Sequence, residues 1–84
     1  AFGADRVGDA VQDWARAQLA VGGTAMRENL YEDMLTLVEP VLLREALLST
    51  DCNQIRAASL LGINRNTLRS KLNEYKIDPT TLRR

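Results

Sequence analysis

The sequence predicts an all-α protein of about four helices, with two longer helices followed by two short ones. Apolar residues recur at spacings of three and four along most of the 84 residues, and the alternation typical of strands is missing. Breaks at Gly22-Gly23, at 49–52 and at Gly62 divide this pattern. We expect one domain, with dimerisation helices over 1–50, two short helices over 51–77 and a flexible tail over 78–84.

The first predicted helix runs from about Asp5 to Val21. Its apolar side chains form one seam, interrupted by a single polar residue and made of Val7, Val11, Trp14, Gln18 and Val21. This seam needs a partner surface, and Trp14 is the largest apolar group that it offers.

The second predicted helix runs from about Leu30 to Leu48 and carries two apolar rows. One row contains Leu30, Met34, Leu37, Val41 and Leu48, and the other contains Tyr31, Leu35, Val38, Leu42 and Ala46, with Leu43 and Leu47 between them. A helix this apolar is buried on more than one side, and so short a chain covers only part of it. A second copy in a symmetric dimer is the natural cover. We expect this interface to contain Val7, Val11, Trp14, Leu30, Met34, Leu37 and Val41.

Pro40 lies in the middle of the second helix, where it removes one backbone donor and clashes with the preceding turn. We expect either a kink near residues 36–40 or two helices that meet there.

The third segment contains two short helices joined by a tight turn. Asn53 is a candidate cap for a helix over 54–61, whose inward residues are predicted to be Ala57, Ala58, Leu60 and Leu61. Gly62 suits the left-handed conformation that closes a helix. Ala58 and Gly62 are expected at the helix crossing, where a larger side chain would push the second helix away. Ile63 is predicted as a buried plug in the turn, and Asn64 as the cap of a helix over 65–75.

Two short helices joined by such a turn form the helix-turn-helix motif of nucleic-acid-binding proteins. On a helical projection, Leu68, Leu72 and Tyr75 share one arc, and the opposite arc holds Arg69, Asn73, Asn66 and Ser70. Arg65 lies at the amino-terminal tip, where its guanidinium can donate to O6 and N7 of guanine. Thr67 and Lys71 lie on the other flank, in positions suited to phosphate oxygens.

These residues also have interpretations that involve no DNA. Arg69 and Lys71 are then a solvated helix face, Asn53 and Asn64 act only as caps, and Cys52 is an inert thiol.

The charges of the chain are asymmetric although the net charge is zero. Residues 1–50 carry four cations and eight anions, whereas residues 51–84 carry seven cations and three anions. A basic end on an acidic remainder favours a polyanionic partner.

Composition excludes several function classes. A chain of this size buries only about 60% of its unfolded surface, and one cysteine without any histidine excludes an internal disulfide, zinc fingers and histidine-dependent triads. No apolar run approaches the ~20 residues that span a bilayer, and no secretion signal is recognisable. We therefore expect no enzyme, catalytic residue, metal, cofactor or membrane partner.

The run from Asn53 to Leu72 resembles the Fis-type helix-turn-helix, and Leu30-Tyr31-Glu32, Val38-Glu39-Pro40 and Leu42-Leu43 resemble the second helix of that family. The resemblance covers residues 30–77. Residues 64–69 are most similar to the NtrC branch of sigma-54-dependent activators. Cys52 stands where the family usually has glycine, and Ser70 where relatives often have lysine.

The resemblance implies a homodimer whose recognition helices enter successive major grooves of a two-fold symmetric double-stranded DNA site. It implies that Asn64 and Arg65 approach bases, beside Asn66 and Ser70, and that phosphates are held by Asn53, Arg56, Thr67, Arg69 and Lys71. The corresponding function is that of the DNA-binding domain of an NtrC-like regulator in a two-component system, in the bacterial cytoplasm at the nucleoid. The rest of such a regulator, with any ATPase and receiver domain, would lie outside this chain. The alternatives are a Fis-like DNA-bending protein and a helical dimerisation or protein-docking module without DNA readout.

Overall fold

The computed structural model describes residues 3–21 and 29–82 of the chain. Within these ranges it contains five helices and no strand: α1 (Ala4–Val21), α2 (Leu30–Ser49), α3 (Gln54–Leu61), α4 (Arg65–Glu74) and α5 (Pro79–Leu82). The predicted all-α class is therefore confirmed. The predicted break at Gly22-Gly23 lies outside the described residues. None of the described helices has the length and apolarity to cross a membrane.

The chain divides into two compact units, Ala1–Asp33 and Met34–Arg84. The boundary lies inside α2 rather than near residue 50, where the sequence analysis ended the dimerisation helices. The reason is that the carboxyl-terminal half of α2 packs with the two short helices that follow it. Its buried side chains are those of Leu43, Ala46 and Leu47.

The core of the second unit is small and entirely apolar. It consists of Leu43, Ala46, Leu47, Ala57, Ala58, Leu68, Leu72 and Ile77. Leu47 of α2 and Leu68 of α4 have no exposed surface at all. Leu43 and Leu47, predicted only to fill the space between two apolar rows, are thus the residues that join α2 to the helix-turn-helix.

The prediction that Leu60 points inward is wrong, because its side chain is 64% exposed. Ala57 and Ala58 are buried and Leu61 packs against the core, as predicted. Leu60 lies about 110° around α3 from the middle of that buried side, since successive helical residues are separated by 100°.

Gly62 is required by its backbone conformation and not by a close crossing of helices. Its φ angle is +75°, in the left-handed region that glycine adopts without cost. A Cβ atom added at this position would meet nothing within 4 Å. The predicted left-handed turn is confirmed, whereas the predicted crowding at Gly62 is wrong.

The helices α2, α3 and α4 end in the same way. A residue with positive φ follows each helix, and the next backbone N–H bonds a carbonyl five residues back, as in the Schellman motif. These bonds join Cys52 to Leu47 at 2.7 Å, Ile63 to Ala58 at 3.0 Å and Ile77 to Leu72 at 2.8 Å. The three donor residues all pack in or against the core. At each helix end, the donor residue therefore also places an apolar side chain in the core or against it. The side chain of Ile63 is half-buried.

Cys52 adopts the left-handed backbone conformation that favours glycine, although it is not glycine. Its φ angle is +62°, and that of the preceding Asp51 is +54°. The turn between α2 and α3 is therefore left-handed at two consecutive residues without glycine.

Lys76 offers a direct test of these helix ends, because it is exposed and has a φ angle of +56°. A non-glycine residue in this conformation costs roughly 1–2 kcal/mol, partly offset by the greater unfolded-state entropy of glycine. We expect Lys76→Gly to stabilise the protein by about 0.5–1 kcal/mol in urea unfolding. Lys76→Ala removes the same charge but keeps the strain, so equal effects of the two substitutions would contradict this account.

Helix α2 continues through Pro40. The alternative of two helices meeting at this point is therefore wrong, whereas a kink stays a prediction. One missing backbone donor does not end the helix, because Leu43 and Leu47 on the following turns are held in the core.

A fifth helix lies inside the segment predicted to be a flexible tail. The carboxylate of Asp78 accepts hydrogen bonds from the backbone N–H and the hydroxyl of Thr80, at 2.9 and 2.7 Å. These bonds begin α5 and lower the pKa of Asp78 below its ordinary value. Leu82 at the end of α5 packs against the core.

Candidate nucleic-acid interface

The helix-turn-helix consists of α3, the three residues 62–64, and α4. Asn53 caps α3, since its side-chain oxygen accepts from the backbone N–H of Arg56 at 3.1 Å. Asn64 caps α4 by accepting from the N–H of Asn66 at 2.7 Å. Both predicted caps are confirmed. Each cap uses the amide oxygen, and the amide nitrogen is a separate donor that capping does not use.

The outer face of α4 displays the residues predicted to contact DNA. The exposed members of this set are Asn64, Arg65, Asn66, Thr67, Arg69 and Ser70 on and before α4, together with Asn53 and Arg56 at the start of α3. On the inner face of α4, Leu68 and Leu72 are buried. The two faces therefore separate as the helical projection predicted.

The charges at the helix ends differ between the two halves of the chain. Helices α1 and α2 carry acidic residues in their first turns, where they stabilise a helix. Helices α3 and α4 carry no acidic residue there. They place Arg56 and Arg65 near their amino ends, where the helix dipole disfavours a cation. These arginines therefore gain no stabilisation from the dipoles of their own helices.

Lys71 is the one member of the predicted set that is half-buried. Its Nζ lies 2.9 Å from a carboxylate oxygen of Glu39, and the two side chains are 32% and 25% exposed. The hydroxyl of Tyr75 donates to the other oxygen of Glu39. One carboxylate on α2 thus holds two side chains from α4 and its carboxyl-terminal end.

Glu39 is not among the residues that the sequence pattern indicates as functional. The available signal was a carboxylate beside Pro40, inside the most apolar helix of the chain, where a partly buried charge requires partners. The hydrogen bonds from Tyr75 and Lys71 lower the pKa of Glu39 below its ordinary value of 4.5. Because the folded-state pKa is the lower one, this stabilisation is complete above pH 4.5 and is lost as the pH falls through the folded-state pKa.

The residues predicted for the dimer interface differ in exposure. Val7 of α1 is 62% exposed, and Leu37 and Val41 of α2 are 53% and 52% exposed. The others, Val11, Trp14, Leu30 and Met34, are half-buried. Helix α2 also exposes Tyr31, Val38, Leu42 and Leu48. Large apolar side chains therefore remain uncovered on α2 in a single chain.

Residues 35–75 match the family described as "Bacterial regulatory protein, Fis family". This segment begins one residue after the start of the second compact unit and contains both short helices. It also includes every residue predicted to contact DNA, together with Glu39.

Three relatives illustrate the similarity. The "DNA-binding transcriptional regulator NtrC" of Rhizobium meliloti (strain 1021) is 42% identical over 72 residues, covering 84% of this chain and 15% of that protein. The NtrC protein of Azospirillum brasilense is 50% identical over 48 residues, covering 57% of this chain and 10% of that protein. The "DNA-binding protein Fis" of Buchnera aphidicola subsp. Acyrthosiphon pisum (strain 5A) is 50% identical over 50 residues, covering 60% of this chain and 51% of that protein. No solved structure matches the chain.

Proposed function

This chain carries a helix-turn-helix segment of the Fis family of bacterial regulatory proteins, and from that premise we propose that it binds double-stranded DNA sequence-specifically as a homodimer. The observation that carries the proposal is the exposed outer face of α4, with Arg65 at its tip and leucines buried behind it. Arginines placed against the dipoles of α3 and α4 favour an anionic partner such as DNA.

In the proposed complex, α4 is the recognition helix. Asn64 and Arg65 at its amino end approach base edges in the major groove, with Asn66 and Ser70 beside them. The phosphates are held by Asn53, Arg56, Thr67 and Arg69. All of these side chains are exposed, so their contacts require no unfolding of the core.

The uncovered apolar side chains of α2 support the homodimer. An exposed apolar patch of this kind marks an interface when it is contiguous on one element. In our proposal the interface includes Leu37 and Val41, with further contributions from Leu30 and Met34 and from Val7, Val11 and Trp14 of α1. Two recognition helices related by a two-fold axis would read half-sites about one helical turn of DNA apart.

We further propose that the chain is the DNA-binding domain of an NtrC-like transcriptional regulator of a two-component system, acting at the bacterial nucleoid. The match over 84% of this chain to the Rhizobium meliloti protein supports this assignment. The chain spans about 15% of that relative and about half of the Fis protein. Any ATPase or receiver activity would belong to other parts of such a regulator.

The test of the proposed function is selection of bound duplexes from a random pool, followed by titration at two salt concentrations. We expect a two-fold symmetric motif and an affinity that falls as salt rises. A protein-docking module would select no motif and show no salt-dependent binding. The 50% identity to Fis makes DNA bending of low specificity the second candidate, which bending-dependent mobility of circularly permuted duplexes would reveal.

The homodimer has its own test in Val41→Asp. A carboxylate at this 52% exposed position would be buried without a partner in the proposed interface, so the dimer should dissociate. Sedimentation at micromolar concentration should show a dimeric wild type and a monomeric, still helical variant. Leu60→Asp, at a 64% exposed position on α3, is the control that should remain dimeric. A monomeric wild type would contradict the proposal.

A further inference from the structure

A carboxylate on α2 connects the helix that is proposed to dimerise with the helix that is proposed to read DNA. Glu39 bonds the ammonium group of Lys71 at 2.9 Å and the hydroxyl of Tyr75. Lys71 and Tyr75 are one helical turn apart on the same flank of α4, next to the buried leucines. Neither partner belongs to the exposed face that carries Arg65 and Arg69.

We propose that Glu39 is a positioning residue that fixes the recognition helix on α2, and that it holds Lys71 away from the DNA phosphates. This inference rests on the proposed function, which it makes more specific. It replaces the sequence-based expectation that Lys71 is a phosphate contact.

The position of Lys71 on α4 supports its separation from DNA. Lys71 lies about 200° around the helix from Arg69, because two residues correspond to 200° at the helical repeat. Lys71 is half-buried, whereas Arg65 and Arg69 are exposed. The Lys71 ammonium therefore points to Glu39 on α2 and not to the groove that receives Arg69, and it turns towards a phosphate only when Glu39 releases it.

Energetics lead to the same conclusion. To reach a phosphate, Lys71 would have to leave a carboxylate that is only 25% exposed and already bonded to Tyr75. The new ion pair would replace an existing one, and Glu39 would keep its charge with one partner fewer. Removing one member of a partly buried pair is unfavourable, so the exchange yields little gain in binding.

The same contacts give Glu39 a role in orientation. Glu39 lies on α2 between Leu37 and Val41, which are exposed and proposed for the dimer interface. Its bonds to Lys71 and Tyr75 fix one flank of α4 relative to that part of α2. The Glu39 carboxylate therefore helps set the angle at which each recognition helix leaves the dimer.

The test measures the salt dependence of binding to a labelled duplex of mixed sequence, about 30 base pairs long, between about 50 and 200 mM KCl. Each phosphate contact makes the fall of log affinity with log salt steeper by about 0.9. We expect Lys71→Met to leave this steepness unchanged and Arg69→Ala to reduce it by about 0.9. Equal reductions by the two substitutions would overturn the inference while leaving DNA binding itself supported.

Glu39→Gln provides the complementary measurement, because it removes the carboxylate charge while preserving its shape. The released Lys71 should gain a phosphate contact and make the salt dependence steeper by up to about 0.9. The double variant Glu39→Gln/Lys71→Met should return to the wild-type slope. Tyr75→Phe leaves the ion pair intact, so its slope should equal that of the wild type. An unchanged slope in a folded Glu39→Gln protein would overturn the inference. A wild type that shows no salt-dependent binding would overturn the proposed function and this inference together.

Discussion

Leu68→Ala is expected to lower the free energy of unfolding by about 2–5 kcal/mol, the range for a fully buried leucine. Leu68 has no exposed surface, and its side chain lies in the core that α4 shares with α2 and α3. A chain of 84 residues has a total stability of roughly 4–13 kcal/mol, so this loss removes a large fraction of it. The effect is large because the core contains few side chains, and its neighbours Ala57 and Ala58 are too small to fill the cavity.

Urea unfolding at fixed protein concentration measures this loss. With a slope of about 1–3 kcal/mol per molar urea, the midpoint should fall by at least about 0.7 M. Leu60→Ala makes the same chemical change at a 64% exposed position on α3, and it should alter stability by less than about 0.5 kcal/mol. Comparable losses in the two variants would contradict the assignment of Leu68 to the core and Leu60 to the surface.

Local features of the fold could be predicted from the sequence because their causes lie within a few residues. Asn53 and Asn64 bond backbone groups two or three residues away, and the left-handed turn at Gly62 follows from its missing side chain. The two faces of α4 were equally predictable, because polar and leucine residues divide its circumference. Periodicity decides orientation when a helix has one apolar side and one polar side.

Periodicity could not decide orientation for α2, which is apolar around most of its circumference. Its two rows of apolar residues are evident in the sequence, yet the residues that α2 contributes to the core are Leu43, Ala46 and Leu47, of which only Ala46 belongs to a row. The choice between these sides depends on where α3 and α4 pack. That information comes from tertiary contacts and is not encoded in the spacing along α2.

The partner of Lys71 could not be predicted from the spacing of residues either. The place of Lys71 at the edge of the apolar arc of α4 was compatible with either a phosphate or a protein partner. The partner in the structure, Glu39, is on another helix and more than 30 residues earlier in the chain. An ion pair of this separation leaves no local pattern, and the asymmetry of net charge between the two halves does not reveal it.

Arg65→Ala is expected to weaken binding to the selected duplex by about 1–3 kcal/mol, a loss of roughly 5- to 150-fold in affinity. The guanidinium at the amino end of α4 is exposed and therefore accessible to a bidentate contact with guanine. Because this contact reads one base, the preference at a single position of the motif should relax, while binding to a scrambled duplex should change much less.

The matched control is Arg69→Ala, which removes the same side chain one turn further along the exposed face of α4. A phosphate contact does not depend on base identity, so this substitution should weaken both duplexes to a similar extent and lower the salt slope. Competition titrations with the selected and scrambled duplexes separate the two effects. If Arg65→Ala weakened both duplexes equally, Arg65 would be a backbone contact, and base readout would have to come from Asn64, Asn66 or Ser70.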